Sequence, residues 1–110
     1  MSKQEEYHLQ VDLVAQLDRG GKCLVLHISN RPKGAKDGAM LKAMGMRAGA
    51  PDLLVLSDGK VIAWELKAEK GRQEPAQKYF QQDWEMYGGE YIITYGREKS
   101  FRFAEERGLL

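Results

Sequence analysis

The sequence predicts an α/β domain with elements in the order αβαββαβ. Three observations carry that reading. Apolar residues recur at helical spacing near the start and again beyond residue 74. Short Leu/Val/Ile-rich runs are bounded by glycines and prolines. One Asp-Gly pair joins two of those runs as a hairpin. The 110 residues are 43% hydrophobic and 30% charged, which fits one domain, residues 1–110, with a modest core rather than a disordered chain.

Leu9, Leu13, Val14 and Leu17 share a helical stripe, while Lys3, Gln4, Asp12, Gln16 and Asp18 occupy other faces. This predicts an amphipathic helix from Ser2 to Asp18, closed by Gly20 and Gly21. Cys23 to Ile28 reads as a strand, and Ser29 to Lys36, with Pro32 and Gly34, as a polar loop. Asp37 is placed to cap a short helix carrying Met40, Leu41 and Met44, ended by Gly45. Asp52 to Leu56 and Lys60 to Lys67 form a hairpin about Asp58-Gly59, because a type I′ turn needs positive φ at both central residues. Glu74 to Tyr87 is a second amphipathic helix, with Tyr79, Phe80, Trp84 and Tyr87 expected inward, and Glu90 to Tyr95 a core strand. The tail is ambiguous: Phe101 and Phe103 alternate like a strand, whereas Ala104 to Arg107 reads as helix.

Composition narrows the function. Seventeen bases against sixteen acids leave a net charge of +1, so no global field draws the chain to nucleic acid or membrane. A single cysteine, Cys23, excludes an intramolecular disulfide and a cysteine-rich zinc site. No apolar run is long enough to span a bilayer, and Met1 to Glu6 is polar, so a cytoplasmic protein without a membrane partner is expected. There is no P-loop, no dinucleotide-type glycine motif and no serine elbow, which argues against a small-ligand enzyme.

The hairpin register carries the chemistry. With Asp58-Gly59 as the loop, Ser57 opposes Lys60, Leu56 opposes Val61, Leu54 opposes Ala63 and Asp52 opposes Glu65. Side chains alternate with period two, so Asp52, Glu65 and Lys67 share one end of an otherwise apolar face. Facing carboxylates destabilise a sheet unless a cation lies between them. Lys67 alone gives a structural ion-pair cluster; a hard divalent cation held by both acids gives a functional site. The strand from Val61 to Lys67 is apolar on both faces as far as Glu65, which places it centrally and favours the metal. Glu6, at the start of the helical stripe, is positioned as a third acid or as an ordinary first-turn glutamate.

Gly49-Ala50-Pro51-Asp52 followed by Glu65-Leu66-Lys67 resembles the PD-(D/E)xK nuclease signature. Met46 to Asp52, Trp64 to Lys67 with Gly71-Arg72, Pro75-Ala76-Gln77, the aromatic helix and Gly88-Gly89 together resemble the VRR-NUC (virus-type replication-repair nuclease) family. Glu6 with Gln10 is similar to the N-terminal helix of that family. The resemblance spans nearly the whole chain. It implies a restriction-endonuclease-like mixed sheet flanked by helices. It also implies Mg²⁺ or Mn²⁺ on Asp52, Glu65 and the Leu66 carbonyl, Lys67 as catalytic lysine, Glu6 facing the metal, and Gln77 supporting the lysine or the water. Family members are often modules of larger repair enzymes. This chain looks like the stand-alone phage and bacterial versions, for which a homodimer is the expected way to hold two-stranded or branched DNA.

The implied reaction is metal-dependent hydrolysis of DNA phosphodiester bonds in replication, repair or recombination. The competing reading is a catalytically silent nucleic-acid-binding subunit. Charge is segregated: Arg31 to Arg47 holds five bases (Arg31, Lys33, Lys36, Lys42, Arg47) and one acid, Asp37. With Lys70, Arg72 and Lys78 these form a candidate phosphate track, although any single one of them is better explained as a solvated surface charge. No helix looks like a base reader, so recognition of DNA structure rather than sequence is expected. His8 and His27 read as ordinary surface or half-buried residues.

Overall fold

The structure, a computed structural model, describes residues 2–29 and 35–110. The elements are α1 (Ser2–Gly20), β1 (Leu24–His27), α2 (Ala35–Ala43), β2 (Leu53–Ser57), β3 (Lys60–Lys67), α3 (Pro75–Met86), β4 (Glu90–Tyr95) and α4 (Arg97–Glu106). The four strands form one mixed sheet in the order β1-β2-β3-β4, with β1 antiparallel to β2, β2 antiparallel to β3, and β3 parallel to β4. The predicted α/β class and the central place of β3 both hold. Among the described residues no helix is long and apolar enough to cross a membrane.

The hairpin turns as its residues require. Asp58 and Gly59 have φ of 54° and 76°, and the paired residues are Ser57 with Lys60, Leu56 with Val61, Leu54 with Ala63 and Leu53 with Trp64. That register sorts the sheet into two faces. Leu53, Val55, Ile62, Trp64 and Leu66 point to one side and are almost wholly buried beneath Leu9, Leu13 and Leu17 of α1 and Ala104 and Leu109 at the C-terminal end. Each such leucine is worth about 1.5–3 kcal/mol of burial, which makes this the principal core. Trp64 sits edge-on to Phe103, their centroids 4.9 Å apart, and donates its indole N–H to Thr94 at 2.8 Å. The opposite face carries Ala63, Glu65 and Lys67, with Tyr91 beside Ala63 on β4, and α3 lies over it through Phe80 and Gln77.

Some elements depart from expectation. The tail is a helix: Gly96, at φ 89°, breaks from β4, and Ser100, fully buried, bonds both the Gly96 carbonyl and Thr94 (2.7 and 2.8 Å). This tertiary anchor outweighs the strand-like alternation of Phe101 and Phe103. α3 is shallower than its aromatic content implied. Only Phe80 and Trp84 turn partly inward, stacked at 5.7 Å, while Tyr79 and Tyr87 are exposed. Met40 and Met44 are exposed as well.

The segment leading into β2 passes close to the start of α3. Gly49 has φ of 77°, and a Cβ there would run into the backbone carbonyl of Ala76. Gly49→Ala should therefore lower the melting temperature by about 4 °C or more, since strain of this kind costs about 1–3 kcal/mol. Thermal unfolding followed by circular dichroism checks it, and an unchanged transition would show that this approach is not tight.

Candidate active site

The sheet end where β1 finishes, β2 begins and β3 finishes opens into a cleft of about 680 Å³. Asp52 is fixed there by three hydrogen bonds. Its backbone carbonyl accepts from the Ile28 N–H (3.3 Å) and from His27 Nδ1 (2.8 Å), and its Oδ2 accepts from the Leu66 N–H (2.8 Å). The side chain thus supplies the acceptor for β3 just past the last paired residues, Leu53 and Trp64. The next step of that register sets Asp52 against Glu65, and the two carboxyl groups interact directly.

Glu65 is 3% exposed. Its Oε2 accepts from Gln77 Nε2 at 2.9 Å and lies 3.5 Å from the Lys67 ammonium, itself buried. Its Oε1 is buried with no hydrogen-bond donor among the described residues. Gln77 is oriented by the start of α3: its Oε1 accepts from the Glu74 N–H at 2.7 Å, the reciprocal half of a capping box, which leaves its amide N–H₂ for Glu65. Placing Gln77 beside the acids therefore follows from where the helix begins.

Burial is the main force on these carboxyls. It pushes Asp52 upward against the opposing pull of the Leu66 N–H. It drives Glu65 up to about 8, with the neighbouring Asp52 charge adding to the rise and Lys67 opposing it. The metal-free pair therefore holds a proton at neutral pH, the expected behaviour of two acids that cannot both ionise in a confined place.

The structure brings Asp52, Glu65, Lys67, Glu6 and Gln77 to one cleft lining. Glu6 reaches it from α1, but its Oε2 is engaged by the Ala68 N–H at 3.2 Å. Among the described residues no three His, Cys, Asp or Glu side chains gather into a cation-sized cluster, so the convergent acids are two. Arg47, Lys70, Arg72 and Lys78 are exposed, and none of them lines the cleft. Arg31 and Lys33 lie outside the described residues, as does the side chain of Lys36. Lys3, placed by the sequence off the apolar stripe of α1, lines the cleft.

His27 is the residue the sequence reading passed over. It ends β1 opposite Leu53, on the α1 side of the sheet, where its Nδ1 meets the Asp52 carbonyl and lies 3.1 Å from the Gln10 amide. By donating Nδ1–H to that carbonyl it ties the end of β1 to the backbone that carries the acid, with Gln10 of α1 packed alongside. Nothing local to His27 signals this role, because both partners are distant in sequence.

The protonated pair makes stability depend on pH in a defined direction. Glu65 is ionised above about 4.5 in the unfolded chain but holds its proton to about 8 when folded. Its contribution is fully present below the lower value and is lost as pH rises through the upper one. In EDTA, the melting temperature of the wild type relative to Glu65→Gln should fall between about pH 5 and 8. Thermal denaturation across that range measures it; a relative rise with pH would show that Glu65 is ionised in the fold.

The sequence matches no protein-family model and no curated protein. Among solved structures, one described as a VRR_NUC domain protein aligns over 93% of this chain and 86% of that one, with 19% sequence identity and a TM-score of 0.73. At that identity the likeness is one of architecture: the chain has the fold of this VRR_NUC domain protein.

Proposed function

We propose that this domain is a divalent-metal-dependent nuclease of the VRR-NUC type that hydrolyses DNA phosphodiester bonds. The observation that carries the reading is the pairing of half-buried Asp52 with buried Glu65, with Lys67 on the same strand face, opening onto a cleft. The signature formed by Pro51-Asp52 and Glu65-Leu66-Lys67 and the shared fold support it from independent directions.

The donor set fits a hard cation. Two carboxylates converge, Glu65 Oε1 is buried without a donor among the described residues, and oxygen ligands suit Mg²⁺ and Mn²⁺. Asp52, Glu65 and the Leu66 carbonyl would hold the ion, with Glu6 as a third acid if it leaves the Ala68 N–H. A bound ion supplies Lewis acidity toward a phosphate oxygen and lowers the pKa of water. Lys67, anchored against Glu65, places a positive charge where negative charge builds on the phosphate. Gln77 holds Glu65 in one rotamer, so the acid need not reorganise as the ion or the DNA arrives. Arg31, Lys33, Lys36, Arg47, Lys70, Arg72 and Lys78 are proposed to contact phosphates outside the cleft, giving selectivity for branched or junction DNA rather than for a base sequence.

A homodimer forms part of this reading. Leu24, Leu26, Leu56 and Val61 lie on one sheet face and are between 38% and 59% exposed, an apolar surface that a second copy would cover. Light scattering should give twice the chain mass for the wild type and the single-chain mass for a Leu24→Glu, Leu56→Glu variant. A monomeric wild type at micromolar concentration would remove the dimer from the proposal.

Cleavage of plasmid, flap, single-stranded and four-way-junction DNA tests the activity directly. It should require Mg²⁺ or Mn²⁺, stop in EDTA, and fall by about a hundred-fold or more in Lys67→Ala and Asp52→Asn. Without metal and above about pH 8, where the pair has lost its proton, Asp52→Asn should melt no lower than wild type, because it relieves acid–acid repulsion. Cleavage that persists in EDTA or in Lys67→Ala overturns the mechanism, and DNA binding without cleavage favours the silent subunit.

A further inference from the structure

One wall of the cleft is unaccounted for by the chemistry above. α1 contributes Lys3, Glu6, Tyr7, Gln10 and Val11, a contiguous helical stripe at spacings of three and four. Glu6 is bonded to the end of β3 and Gln10 lies against His27, but Tyr7 is 65% exposed and Val11 49% exposed. Tyr7 stands with its ring T-shaped to that of His8, centroids 5.4 Å apart, and is otherwise largely open to solvent. It is the only tyrosine, phenylalanine or tryptophan on the lining among the described residues. Lys3, one turn earlier on the same stripe, is the only base in the first 18 residues. The core of α1, formed by Leu9, Leu13 and Leu17, makes no use of either side chain.

We infer that this wall is a subsite for one unpaired nucleotide, with Tyr7 stacking on the base and Lys3 meeting the adjoining phosphate. The inference rests on the nuclease reading and specifies its substrate. The cleft volume lies in the range of pockets that take compact ligands, about 300–1,000 Å³, suited to a nucleotide unit rather than a double helix. A duplex base is covered on both faces by its neighbours, so an aromatic platform can accept it only where the strand is open. Stacking is tolerant of base identity, because every base presents a π-face. Placed next to Asp52 and Glu65, such a platform selects strand ends, flaps and branch points, and disfavours uninterrupted duplex.

Binding to short single strands carrying 2-aminopurine, measured with Ca²⁺ in place of the reactive ions, tests this without relying on cleavage. Wild type should change the fluorescence of the probe at one position and prefer single strand to duplex. Tyr7→Ala should lose that change and bind about 5- to 100-fold more weakly, while Tyr7→Phe keeps both. Lys3→Gln should reduce the slope of log affinity against log salt by about 0.7. Since Tyr7 is outside the core, Tyr7→Ala should melt as wild type does, which separates lost stacking from lost folding. Undiminished single-strand binding by Tyr7→Ala, or a wild type that prefers duplex, overturns the inference. If cleavage persists in that case, the nuclease reading survives alone; Tyr7-dependent binding without cleavage would leave the subsite standing and the nuclease reading failed.

Discussion

Two carboxyl groups brought together inside a sheet are the constraint around which this molecule is arranged. Asp52 and Glu65 meet because a two-residue turn sets the β2–β3 register, and both are largely withdrawn from water. Left alone, such a pair is costly, since desolvation and mutual repulsion act in the same direction. The surrounding contacts distribute the compensation. The Leu66 N–H serves Asp52; Gln77 and Lys67 serve one oxygen of Glu65; a retained proton serves the pair as a whole. The remaining oxygen of Glu65 meets no donor side chain or backbone N–H among the described residues.

The two faces of the sheet divide the labour. Trp64 and its alternating neighbours Ile62 and Leu66 give β3 a dry anchor under α1 and α4, supported by the Trp64–Thr94–Ser100 chain of hydrogen bonds. Glu65 and Lys67, one residue out of phase, inherit that rigidity on the opposite side. Side-chain alternation thus lets one strand be both core and chemical platform, with no loop needed to carry either charge.

How much of this was legible in the sequence depended on distance along the chain. The turn, the register and the shared face of Asp52, Glu65 and Lys67 follow from residues within a sixteen-residue span and from the period of a strand. Glu6 was suggested by its place at the start of the helical stripe and Gln77 by the family resemblance, and both line the cleft. His27 was missed because its meaning lies in the carbonyl of a residue 25 positions away. The burial of α3 was overestimated for a related reason. Four aromatics at helical spacing describe a stripe, but how deeply it sinks depends on the sheet beneath, and Tyr79 and Tyr87 fall on its outer margins. The terminal helix hinged on Ser100, whose partners Thr94 and Gly96 become visible only when the chain is folded.

The capping box of α3 has a consequence for dynamics. No residue of that helix is buried, so few buried apolar contacts resist local opening of its first turn. Gln77 is both the third residue of that turn and the donor to Glu65. Fraying of one helix end therefore detaches the acid from its amide brace in the same event, coupling the breathing of a surface element to the alignment of a buried carboxyl group.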